Sequence, residues 1–281
     1  MTADVSAQAA LDALAAALRG GTAAAYGELF AQFAAGADWM LAAAVADDGP
    51  IPPDAWRAAQ EKLAARTLHP REAETGDPDA LADLRAGLAG VAEAVRLYGS
   101  DRPVASAAHA FADVWSFAGL GRQLPLGTLC AMVVWGKLFE RPFAEADVPA
   151  AVAAAPSPAE REAFVRELFP DGTLRERALA AVRAKTLAPD ALRARLSRAA
   201  SLWEPLRAKC DAQLMAPERA AAMLHAAGCA VDPAALGLAP ARLAASALAA
   251  QILAPRYTVL DLAFETGRLP ACAQALAVAF A

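Results

Sequence analysis

Histidine, acidic residues and cysteine are the side chains through which this 281-residue chain could do chemistry, and few of them are spaced for it. His109 and Asp113 stand four positions apart, which on a helix puts them on one face, where the carboxylate can orient the imidazole or share a polar pocket with it. Histidine titrates nearest to neutral pH, and a carboxylate beside it stabilises its protonated form, so the pair suits general acid–base work. The competing reading is plain: a single histidine among alanines is more often a hydrogen-bonded core residue. His225 lies just before Gly228 at a helix C-terminus, where the helix dipole favours a positive partner, and His69 precedes Pro70 in a loop; both read as structural. The four cysteines, Cys130, Cys210, Cys229 and Cys272, show no CxxC or Cys/His ligand spacing and read as small apolar side chains in a reducing compartment. Gly119-Leu120-Gly121 has helical neighbours, and it lacks the strand and glycine turn that a dinucleotide fingerprint requires.

The elements that must position these residues are helices. Alanine supplies much of the 57% apolar fraction, and it is the strongest helix former because it has no side-chain rotamer entropy to lose. Nowhere is there a convincing alternation of β-branched residues, so the expected class is all-α, a multi-helix bundle. Ala7 to Leu18 repeats apolar residues at helical spacing and stops at Gly20-Gly21. A long helix is expected from about Ala23 to Val45, ending before the turn chemistry of Asp47-Asp48-Gly49-Pro50. Asp77-Pro78 and Ser157-Pro158-Ala159-Glu160 mark helix starts, the second as a capping box. The expectation is one helical domain over 1–281, divisible into subdomains 1–141 and 157–281 by a Pro/Ala-rich linker at 142–156.

Net charge is −5, opposite to the concentrated basic field that phosphate-backbone recognition needs, so a nucleic-acid surface is not expected. Arginines interspersed with acids, as at Glu176, Arg177 and Arg183, read as solvated helix faces. The longest uncharged run, Gln123 to Gly136, contains Pro125 and stops at Lys137, short of the roughly 18 residues a membrane span takes. The start, MTADVSAQ, has an acid where a signal peptide carries a base, which points to a cytoplasmic protein without a membrane partner.

Three separated stretches carry a family resemblance: Gly27 to Trp39 (GELFAQFAAGADW), Asp101 to His109 (DRPVASAAH) and Pro255 to Leu269 (PRYTVLDLAFETGRL). Together with Ala226-Ala227-Gly228 and Leu236-Gly237-Leu238, they resemble the C-terminal helical, metal- and substrate-holding domain of the sn-glycerol-1-phosphate dehydrogenase family. That family belongs to the superfamily of iron- or zinc-dependent polyol dehydrogenases and dehydroquinate synthase. The resemblance spans nearly the whole chain, from Tyr26 to Leu269, and the family's nucleotide-binding half has no counterpart in it. It implies that Glu28 occupies the position of an aspartate that ligates zinc or iron, and that Gln32 replaces a lysine. It further implies that His109 is a surviving histidine ligand, that Asp113 stands where a second histidine would, and that Leu120 occupies the remaining ligand position.

A catalytic zinc ordinarily keeps three protein ligands and an open position. Glu28 and His109 alone remain as metal candidates, so no cofactor is expected, with zinc or iron the ion that this pair would take. What the resemblance implies is therefore a repurposed small-molecule protein: a redox-neutral enzyme of lyase, isomerase or cyclase type. His109, Asp113 and Glu28 would be its catalytic residues, and Gln32, Arg102, Arg122, Lys137, Arg256 and Tyr257 would hold a small polar or phosphorylated molecule. The alternative is a non-catalytic subunit that docks on a separate nucleotide-binding chain or on a second copy of itself, because loss of a domain uncovers apolar surface.

Overall fold

The computed structural model describes residues 5–46, 49–121, 123–170 and 172–281. Those residues form α-helices with one 3-10 turn and no strand, an all-α bundle. Met1 to Asp4, Asp47-Asp48, Arg122 and Asp171 lie outside the described residues. Among the described residues no helix is long and apolar enough to cross a membrane.

Punctuation and helix starts correspond. Asp77 accepts from the backbone N–H groups of Asp79 and Ala80 and begins the helix Pro78–Tyr98. Ser157 and Glu160 form the reciprocal capping box of Pro158–Leu168. The expected long helix from Ala23 is two helices, Thr22–Phe30 and Gln32–Val45, that meet at Ala31. Ala31 keeps right-handed helical dihedrals, and the bonds Ala31 N–H to Gly27 O and Ala35 N–H to Ala31 O carry the ladder across, so the two pieces act as one interrupted rod.

At the centre lies Leu124–Leu138, apolar on every side and mostly buried, as a core helix should be. It packs against Thr22–Phe30, Ala107–Phe117, Pro217–Ala226, Val259–Glu265 and Leu269–Ala279. The largest cluster of buried side chains draws on both ends of the chain: Ala34 and Leu41, Phe111 and Trp115, Trp135 and Leu138, Leu243 and Leu260. A second cluster gathers Val5–Arg19, Thr22–Phe30, Pro53–Gln60 and Pro78–Tyr98 around Leu29, Phe30 and Leu88. Residues 142–156, read from sequence as a linker, hold the 3-10 turn Glu145–Asp147 and the helix Val148–Ala154. Phe143 and Val148 of this stretch are buried in the core that both halves share.

Two glycines let the central helix draw its neighbours close. A Cβ on Gly27 would meet Pro125 Cγ at 2.9 Å, and one on Gly127 would meet the Ala108 carbonyl oxygen at 2.4 Å. The first turn of Leu124–Leu138 therefore touches the residue before Glu28 and the residue before His109, and it acts as a template that brings those two helices together. Pro125 costs nothing here, because its missing N–H belongs to a first turn without intrahelical partners. Gly127→Ala should push the helix Ala107–Phe117 away and destabilise the fold by about 1–3 kcal/mol, since backbone cannot yield as a flexible side chain does; urea unfolding of the variant against the parent chain measures this.

Candidate functional site

Glu28 and His109 come from different helices, yet His109 Nε2 lies 3.1 Å from Glu28 Oε1. Glu28 is 4% exposed and the His109 side chain 13%, so the contact is nearly dry. The other ring nitrogen, Nδ1, lies 2.8 Å from the hydroxyl of Ser106, the N-cap of the histidine's own helix. An ionised carboxylate can only accept, so beside neutral imidazole the Nε2 position carries the hydrogen and Nδ1 is the acceptor of the Ser106 O–H. All three side chains line one cavity of about 400 Å³. Asp113 and Arg256 line it too, and so do Asp101 and Arg177. The cations are held by acids: Arg177 Nη2 to Asp113 Oδ2 at 3.6 Å, and Arg256 Nη2 to Asp101 Oδ1 at 2.7 Å.

One buried carboxylate fixes this corner. Asp38 has no exposed surface, and its two oxygens each accept a backbone N–H, from Ala107 at 2.7 Å and from Val259 at 2.8 Å. These are the first residues of Ala107–Phe117 and of Val259–Glu265, so a single side chain caps two helices, at the end where the dipole is positive. Burial pushes the Asp38 pKa up to about 7, and the two N–H donors and Arg102 pull the other way. Arg102, likewise without exposed surface, donates to the carbonyls of Asp38, Ala105 (3.3 Å) and Tyr257 (3.2 Å). The three stretches singled out in the sequence thus meet at one polar knot.

Several residues read from sequence as ligand-binding stand elsewhere. Arg102 is committed to main-chain carbonyls inside the knot and does not line the cavity. Gln32 is fully buried in the interrupted rod, and its side-chain amide has no hydrogen-bond partner among the described residues. Lys137 pairs with Glu140 at 2.6 Å on a separate groove. Tyr257 donates its hydroxyl to Glu265 at 2.7 Å, under the guanidinium of Arg195, and burial raises its pKa well above the ordinary phenol range. Arg256 alone of these described positions lines the cavity. Arg177, whose acidic sequence neighbours suit a solvated face, lines it as well, and so does Ser106. Ser106 was legible in principle, because a serine three residues before a histidine at a helix start places both on the first turn. The pairing of Arg177 with Asp113 is a tertiary contact without a local signal.

The donor set does not fit a zinc or iron ion. Glu28 and His109 bond each other, Asp113 is paired with Arg177, and among the described residues no group of three or more His, Cys, Asp or Glu side chains is arranged to hold a metal. Comparison with family models, with curated proteins and with solved structures returns no match for this chain.

The double cap has a measurable cost of removal. Asp38→Asn retains one acceptor but turns an amide N–H₂ toward the other backbone donor, so one helix start is left unsatisfied in the interior. A loss of about 2–4 kcal/mol is expected in chemical denaturation, the sum of a lost cap and a buried orphan donor. Exchange of the Ala107 and Val259 amide hydrogens with deuterium should accelerate in the variant.

Proposed function

We propose that this chain is a repurposed helical domain of the glycerol-1-phosphate dehydrogenase type, acting as a redox-neutral enzyme that moves a proton on a small polar, anionic molecule. The observation that carries the reading is the nearly dry Glu28–His109 contact at the wall of a cavity that also presents Arg256 and Arg177. In this reading Glu28 holds the ring in one tautomer and stabilises imidazolium, His109 Nδ1 takes and returns the proton, and the two arginines attract the anionic end of the ligand. Proton transfer of this kind balances without an electron acceptor, so each step can be carried by residues that line the cavity. The family assignment is supported by the meeting of its three quoted stretches around Asp38.

Titration calorimetry with sn-glycerol 1-phosphate and with inorganic phosphate tests the anion site. Binding is expected, weakened about tenfold or more in Arg256→Ala. Carbethoxylation of His109 by diethylpyrocarbonate, located by mass spectrometry, should be slowed by the bound phosphate ester. Anions that neither bind nor protect His109 would remove the basis for this reading.

A further inference from the structure

We propose that Ser106 is a nucleophile, and that Ser106, His109 and Glu28 form a relay for acyl transfer, with an ester carrying an anionic group as the substrate class. The inference rests on the reading of His109 as the base and adds to it the group from which the proton comes. As an N-cap, Ser106 should use its oxygen chiefly to accept a backbone N–H. Here the cap bond from His109 N–H is long, 3.5 Å, whereas the bond to His109 Nδ1 is 2.8 Å. The hydroxyl is thus engaged more closely by the imidazole than by the helix it caps. Hydroxyl, imidazole and carboxylate follow one another in the order that activates a serine, at 2.8 and 3.1 Å. The ring is reversed relative to the commonest such relay, because Nδ1 faces the serine and Nε2 the acid. The roles depend on the sequence of hydrogen bonds and not on which nitrogen makes which.

The step balances within these groups. Ser106 Oγ forms a bond to the acyl carbon as its proton passes to His109 Nδ1. The imidazolium then gives that proton to the departing alcohol oxygen as the carbon–oxygen bond breaks. Water enters, loses a proton to Nδ1 and adds to the acyl carbon; the proton returns to Oγ as the acyl–serine bond breaks, releasing the acid. Arg256 and Arg177 line the same cavity and select the anionic end of the ester.

The full chain is treated with phenylmethanesulfonyl fluoride, the adduct is located by peptide mass spectrometry, and 4-nitrophenyl acetate hydrolysis is followed in parallel. One adduct on Ser106 is expected. Ser106→Ala should lose it and lower hydrolysis at least about a hundredfold, and His109→Ala should slow its formation by about 10²- to 10⁴-fold, the range of a general base. Ser106→Gly, a residue that N-caps tolerate, should lose the adduct with little change in melting temperature, which separates chemistry from misfolding. An unlabelled parent chain, an adduct on another residue, or equal labelling rates in His109→Ala would overturn the nucleophile. If phosphate esters still protect His109 from carbethoxylation in that event, the proton-transfer reading stands without Ser106; if that protection is missing as well, both fall.

Discussion

A single buried carboxylate holds the architecture to its geometry. Asp38 supplies an acceptor to the first residue of each of two helices that begin far apart in the chain, and no second acceptor for those two N–H groups is needed. A helix start buried without a partner is costly, so the positions of Ala107 and Val259 are dictated to within hydrogen-bond tolerance by one side chain. Arg102 completes the constraint from the other side, drawing the carbonyls of Asp38, Ala105 and Tyr257 onto one planar fork. The two backbone N–H donors and Arg102 offset part of the cost of burying the Asp38 charge.

The candidate site inherits its precision from that knot and from the close approach at Gly27 and Gly127. Ser106 and His109 sit on the first turn of the helix that Asp38 caps, and Glu28 sits on the rod whose continuation carries Asp38 itself. The spacing between carboxylate and imidazole is therefore set by backbone packing and not by the reach of a long side chain. The arginines at the cavity differ in character. They are partly exposed and already paired with Asp101 and Asp113, so a ligand anion would compete with those acids for them.

The helical class was legible because alanine content and proline- or glycine-marked ends are local signals, and local signals determine where a helix can begin and stop. Glu28, His109 and Asp113, read as a group, line one cavity because each stands within a stretch whose backbone has a fixed place around Asp38. The arginines and Tyr257 were less legible. Charge alone does not distinguish a guanidinium that lines a cavity, such as Arg256, from one such as Arg102, which is fully buried with both terminal nitrogens on main-chain carbonyls. Composition likewise suggested a linker at 142–156, since proline and alanine are common there; two bulky residues, Phe143 and Val148, are enough to anchor the stretch in the core.

The bond between Asp38 and Val259 joins residues 221 positions apart. Contacts of such separation form only after a large loss of chain entropy, and during synthesis they cannot form before the later segment leaves the ribosome. A nascent chain that already contained the serine, the histidine and the glutamate would still lack half of the cap that orients them. Whatever reactivity the corner has is withheld until the segment that carries Val259 has emerged.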